Sequence, residues 1–377
     1  NVNPGQVVED FRVEVNINES LPLTDLKVPK LVESNEIDFN EDEGDDVNEA
    51  AEVTRGVGGS DHNALIVFAP DQEYQEAAGD QGVSGKFIVS YDVDRSSQES
   101  EVQVIDGYFV HFFAPDDLET LPKHVVYVLD ISGSMSGKKL DQMKDAMFTV
   151  LDDMKETDFF NIITFSTEVC HWNSDEGFIS EVTSVSHPAS EKNKNLAISA
   201  VLDLNSGGST NINDALEQAL NVGQSARIFN DIPKDVQTMI VFLTDGLPNG
   251  DTSTIKSNIK ANNTDPEISE IPIFAIGFGA DADFNFLKEI AAENDGIAQK
   301  IYGGSDAALQ LEDFYAQIAS PLLSKLQLNY VGDIVDNSSL SEVKTRSFFK
   351  GNEFIVTGKL QDEGQFGIRI NGSGKER

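Results

Sequence analysis

The stretch 128-VLDISGSMSGKK-139 decides how this chain is read. An apolar strand runs into Asp130, serines follow at Ser132 and Ser134, and a helix-like segment opens after Gly137. Three oxygen-bearing side chains spaced by two at a strand end admit a phosphate cradle, a nucleophilic serine or a metal site. The cradle fails on spacing. A P-loop separates its glycine from the Gly-Lys pair by four residues and continues with Ser or Thr. Here Gly133 to Gly137 is one residue short, and Lys139 stands where the hydroxyl belongs. A nucleophile elbow requires Ser where Met135 sits. A hydrolytic triad also requires a positioned histidine, and His62, His111, His124, His171 and His187 lie in no recognisable catalytic motif. Triads assemble from distant positions, so sequence disfavours that option without closing it.

Two further strand ends favour metal. In 207-GGSTN-211, Ser209 and Thr210 stand on a glycine-rich loop before a helix, and 242-FLTDG-246 places Thr244 and Asp245 at the end of an apolar strand. Ligands of an open α/β sheet gather outside the carboxyl ends of its strands. Asp130, Ser132, Ser134, Thr210 and Asp245 are therefore expected to converge there. The set is all oxygen, which suits a small hard cation, Mg²⁺ or Mn²⁺, better than Ca²⁺ with its longer bonds and larger ligand count. Each residue alone reads equally well as a turn or cap residue.

Outward from this turn the chain changes character twice. Up to about residue 118, "FRVEVNI", "NALIVFAP", "GKFIVSYDVD" and "EVQVIDGYFVHFF" alternate as half-buried strands, with "DRSSQES" (94–100) as a hairpin loop between the last two. From about 123, near-continuous apolar strands alternate with amphipathic helices. In the first helix Leu140, Met143, Met147, Val150, Leu151 and Met154 share a face. That pattern predicts a doubly wound, mostly parallel α/β sheet covered on both faces. After Pro321 the alternation returns in "KLQLNYVGDIV", "SFFKGNEFIVTGKL" and "FGIRINGSG". The economical organisation is one β-sandwich formed by both chain ends, 1–118 and 323–377, with the α/β domain, 119–322, inserted. Two separate small β domains are the alternative.

The 377 residues carry 65 acidic against 27 basic side chains, a net charge of -38. Such a polyanion repels nucleic acid and anionic membranes. The run "EDEGDD" at 41–46 reads as solvated surface. No apolar run is long enough to span a bilayer. The opening "NVNPGQVVED" has neither initiator Met nor leader, which reads as a mature or trimmed piece. Sequons at Asn18, Asn262, Asn337 and Asn371 point to secretion. The lone Cys170 is expected to be a buried small hydrophobe, the alternative being a partner cysteine outside this segment.

"DISGSMSG", "GGSTN" and "FLTDG" together resemble the metal-ion-dependent adhesion site of a von Willebrand factor A domain. The resemblance implies that Ser132, Ser134 and Thr210 bind the metal directly or through water, with Asp130 and Asp245 completing the shell. The flanks "YDVDR", "GYFVHFFAP", "LPKHVVYVLDISGSM", "TNINDAL", "ALQLEDFY" and "VTGKLQD" are similar to heavy chains of the inter-alpha-trypsin inhibitor family, over nearly the whole chain and most weakly at about 40–80. The resemblance implies a secreted, matrix-associated binding protein rather than an enzyme. Its partner would present an Asp or Glu carboxylate to the metal, in matrix or hyaluronan-associated complexes. The family's heavy chains carry a further N-terminal domain and are joined to a glycosaminoglycan through an Asp near the mature C-terminus. No residue up to Arg377 is assigned that linkage. Two other classes stay open: a structural matrix component with a vestigial metal site, and a hydrolase using Ser134 or a metal-activated water.

Overall fold

The computed structural model describes residues 2, 4–19, 21–31, 48–56, 59, 61–79, 82–94, 100–115, 118–181, 185–246, 248–264, 270–279, 282–301, 307–341 and 347–374. The acidic run at 41–46 and most of the 94–100 segment lie outside them. The chain divides into two compact units, Asn1–Glu99 and Ser100–Arg377.

The first unit contains β1 (Val13–Asn18), β2 (Leu23–Lys27), β3 (Ala51–Arg55), β4 (Asn63–Phe68), the short helix α1 (Gln72–Ala78) and β5 (Ser90–Val93). β4 lies between β1 and β3 in an antiparallel sheet, and β2 pairs with β5. Period-two alternation in β4 buries Ala64, Ile66 and Phe68. The first two join Ile17, Leu23 and Val28 in this unit's own core.

The second unit begins with β6 (Ser100–Ile105), β7 (Tyr108–Phe113), β8 (Lys123–Asp130), α2 (Lys138–Asp152) and β9 (Phe159–Phe165). There follow β10 (Val169–Asn173), β11 (Gly177–Ile179), β12 (His187–Pro188), α3 (Glu191–Leu202) and α4 (Ile212–Ile228). Next come β13 (Gln237–Thr244), α5 (Thr252–Asn262), β14 (Ile273–Phe278), α6 (Phe284–Glu293), β15 (Ala298–Ile301) and α7 (Ala307–Ile318). β16 (Pro321–Val331), β17 (Val335–Asp336), β18 (Phe348–Phe349), β19 (Phe354–Leu360) and β20 (Gly367–Ser373) close it.

The large sheet runs β11-β10-β9-β8-β13-β14-β15, with β12 paired to β9. β9, β8, β13, β14 and β15 are parallel; β10, β11 and β12 are antiparallel additions at the β9 side. All eight residues of β8 are buried, as a strand with helices on both faces requires. One face packs on α2, α3 and α7 through Met143, Val150, Ala197, Val201 and Phe314; the other packs on α4, α5 and α6 through Leu216, Leu220, Ile259 and Leu287. The expected face of α2 is buried as read, with Met154 just beyond the helix end.

Both flanks of this α/β body meet in antiparallel sheets. β7 pairs with β19 over six residues, from Phe113↔Phe354 to Tyr108↔Lys359. The resulting β17-β19-β7-β6 sheet packs on β18-β16-β20. Phe109 of the first sheet stands 5.1 Å from the Tyr330 ring and 5.0 Å from the Phe366 ring. The strands before residue 99 pair among themselves, so the described sheets shared with the C-terminal flank begin at Ser100.

Three local readings change. "EVQVIDGYFVHFF" is two strands, β6 and β7, because Asp106 (φ 49°) and Gly107 (φ 78°) make the tight turn that an Asp-Gly pair favours. The described strands that flank residues 94–100 pair elsewhere, β5 with β2 and β6 with β7, and not with each other. Cys170 is only partly buried on β10, with Sγ 3.8 Å from Ser180 Oγ, which overturns its expected burial. A thiol reagent should label the native chain in minutes without denaturant; labelling that waits for unfolding would restore the buried reading.

Candidate metal centre

β8 has β9 on one side and β13 on the other, both parallel to it, so the chain reverses its direction of winding at this strand. A crevice opens where such strands end. β8 delivers Asp130 and β13 delivers Thr244, with Asp245 next. After Asp130 the backbone turns at Ser132 and is pinned by Met135, which is fully buried in the core. The side chain that rules out a nucleophile elbow is the anchor of the loop.

The Gly-rich loop is held against this turn by backbone hydrogen bonds. Gly207 N–H donates to Ile131 O at 2.8 Å, and Gly133 N–H donates to Gly208 O at 3.1 Å. Gly208 has φ +83°, and a Cβ there would lie 2.7 Å from Thr167 Oγ1, so glycine is required on both counts. Thr210 then lies beside Gly246, where an added Cβ would meet Thr210 Cγ2 at 3.0 Å and Oγ1 at 3.1 Å.

Four of the five expected residues, Asp130, Ser132, Ser134 and Asp245, are joined by hydrogen bonds, and Thr210 lies against Gly246, next to Asp245. Asp130 is buried; its Oδ1 accepts from Ser132 N–H at 2.8 Å and its Oδ2 accepts from Thr244 Oγ1–H at 2.5 Å. Ser134 Oγ–H donates to Asp245 Oδ1 at 2.7 Å, and the Ser132 and Ser134 hydroxyls stand 3.1 Å apart. Ser132, Thr210 and Asp245 are buried while Ser134 is exposed at the mouth. Among the described residues the Thr210 hydroxyl makes no side-chain hydrogen bond. Burial pushes the Asp130 carboxyl above its ordinary range, offset in part by Ser132 and Thr244, and the Asp245 charge adds to the rise. Two converging carboxylates with hydroxyls between them form a donor set that a hard cation fits. Among the described residues no three His, Cys, Asp or Glu side chains gather as a metal cluster.

Sequence reasoning left out two participants. Thr244 was read at the strand end but not as the side chain that positions Asp130. Lys139, noted only as a misfit to a P-loop, reaches Asp245 Oδ2 at 2.5 Å.

The profile of the von Willebrand factor type A domain matches residues 124–317. Over 363 residues the chain is 35% identical to "Inter-alpha-trypsin inhibitor heavy chain H4" of Bos taurus, covering 96% of this chain and 37% of that one. Against the Homo sapiens protein of the same name it is 39% identical over 316 residues, 83% of this chain and 32% of the other. The chain belongs to the inter-alpha-trypsin inhibitor heavy chain family.

It spans about a third of the length of those heavy chains. A solved von Willebrand factor type A protein from Catenulispora acidiphila aligns at TM-score 0.54 with 16% identity, over 71% of this chain and 66% of that one, a likeness of fold. The heavy chain family is non-enzymatic, and four of the five histidines here are engaged by partners other than Ser134. His124 bonds Asn161, His171 bonds Gln218, His111 bonds Ser100 and Tyr330, and His187 lies against the Trp172 ring. All four sequon asparagines, Asn18, Asn262, Asn337 and Asn371, are exposed.

Proposed function

We propose that this heavy-chain segment is a secreted, divalent-metal-dependent binding module in extracellular matrix or hyaluronan-associated complex assembly. Asp130, Ser132, Ser134, Thr210 and Asp245 would hold Mg²⁺ or Mn²⁺, with Ca²⁺ less well suited to so few short side chains. The observation that carries the reading is the placement of two buried carboxylates, linked through Ser132 and Ser134, at the ends of the neighbouring strands β8 and β13, where the direction of winding reverses. When bound, the cation supplies a local positive field. Ser134 at the mouth leaves the site open to solvent, where an Asp or Glu of a protein partner can approach. The chain's net charge of -38 opposes that approach, but surface charges farther than about 8 Å are largely screened at physiological ionic strength.

The test is recovery of a partner from native matrix extract on the immobilised chain. Chelator should release it, Mg²⁺ or Mn²⁺ should restore it, and Thr210→Ala should weaken capture by about 10-fold or more. Capture that survives both chelator and Thr210→Ala would move the interface away from this site. It would favour the reading of a structural matrix component with a vestigial site.

A further inference from the structure

Lys139 lies in the first turn of α2, and its Nζ stands 2.5 Å from Asp245 Oδ2. The Asp245 side chain is fully buried, whereas a quarter of the lysine side chain is exposed. The other carboxylate oxygen, Oδ1, accepts from Ser134 at 2.7 Å. Room for the lysine is built into the neighbouring strand end. Gly279 follows β14 at φ +85°, and a Cβ there would come within 3.3 Å of Lys139 Cε and 3.5 Å of Nζ. The ammonium is thus seated in the crevice, in contact with one of the two carboxylates that would hold the cation.

Asp130, Asp245 and Lys139 sum to a charge of -1, and a divalent cation brings that sum to +1. An incoming carboxylate then makes it neutral. Without the lysine the same states carry -2, 0 and -1. We propose that Lys139 is a resident counter-charge that weakens the site's hold on the divalent cation and strengthens the loaded site's hold on a carboxylate. This rests on the metal-centre reading above. A lysine suits the task because its ammonium is a compact point charge on a flexible stem. A lysine acting only as a brace for the loop would, on removal, weaken both bindings together. A counter-charge moves them in opposite directions.

The experiment uses the full chain as wild type, Lys139→Met and Lys139→Arg, with Mn²⁺ as the probe. Free Mn²⁺ is counted by electron paramagnetic resonance. Displacement of water from bound Mn²⁺ by acetate is followed by water-proton relaxation. Melting in chelator checks that each variant folds, and Lys139→Gln replaces the Met variant if that one does not. Lys139→Met should bind Mn²⁺ on the order of tenfold more tightly than wild type, and should need several-fold more acetate for the same displacement. Lys139→Arg should stay near wild type in both. Mn²⁺ affinity that is equal or weaker in the folded Met variant overturns the proposal. If wild type and variant both bind no Mn²⁺, the metal-centre reading itself falls and takes this proposal with it. Mn²⁺ binding that is equal in the two, and lost in Thr210→Ala, removes only the role given to Lys139.

Discussion

Asp130→Asn is expected to erase the Mg²⁺-dependent rise in melting temperature and to leave the metal-free melting temperature unchanged or slightly higher. A ligand that binds only the folded state stabilises it by mass action, by about 4 kcal/mol when present at 1,000 times its Kd. For a domain of this size that is a rise of about 10 °C. The substitution removes the charge that attracts the cation while keeping the shape. An Asn carbonyl can still accept from Ser132 N–H, and its amide can donate to the Thr244 hydroxyl. Burial and the Asp245 charge both disfavour ionised Asp130, so neutralising it relieves a cost in the absence of metal. Differential scanning calorimetry with and without Mg²⁺ reads both halves. A Mg²⁺ response as large in Asp130→Asn as in wild type would place the cation elsewhere.

In chelator, stability should fall steeply as pH drops below about 6.5. His124 is fully buried between β8 and its neighbours, with Nε2 2.8 Å from Asn161 Oδ1 and Nδ1 3.5 Å from the Thr238 hydroxyl. Burial lowers its pKa from 6.5 to about 4, and the Arg227 and His187 charges act in the same direction. The unfolded chain therefore binds a proton that the folded chain refuses between pH 6.5 and about 4. The associated stability is complete above 6.5 and is lost progressively down to the folded pKa, about 3 kcal/mol for this residue. His111, His171 and His187 are lowered too, chiefly by burial, and steepen the slope. Asp130 has the opposite sign, since its raised pKa favours the folded state as it takes up a proton. Urea titrations at pH 7.5, 6 and 5 measure the difference. Stability that stays flat from pH 7 to 5 would mean these rings are protonated in the folded chain.

The α/β body was legible because its strands are buried on both faces and so read as unbroken apolar runs, and α2 carries a clean stripe. The grouping of the candidate site residues at neighbouring strand ends was legible because strand ends, glycines and hydroxyl spacing are local signals. α3 was not, because its buried face includes Lys194, whose Nζ bonds the Asp152 and Met154 carbonyls. A lysine used as a helix-to-loop clamp breaks the apolar stripe that would have marked the helix. β11 escaped notice because it is only three residues long, Gly177–Ile179, too short to show alternation. β3 hides for a related reason, with four of its five residues exposed. Lys139 could not be recognised, because nothing in a sequence distinguishes a lysine that bends back to a strand end from one on a solvated turn.

The pairing of β7 with β19 has a mechanical consequence. The chain enters the α/β body after Phe113 and leaves it at β16, and the two crossings are stapled to each other, with Leu121 N–H donating to Pro321 O at 2.7 Å. Tension drawn between the strands on either side therefore passes through the six-residue β7–β19 ladder and the Phe113, Phe348 and Phe354 cluster beneath it. The α/β body hangs from that path as a side loop. A pull along the chain would reach Asp130 and Asp245 only after the ladder had opened, so the crevice at those strand ends can keep its shape under a force that stretches its own polypeptide.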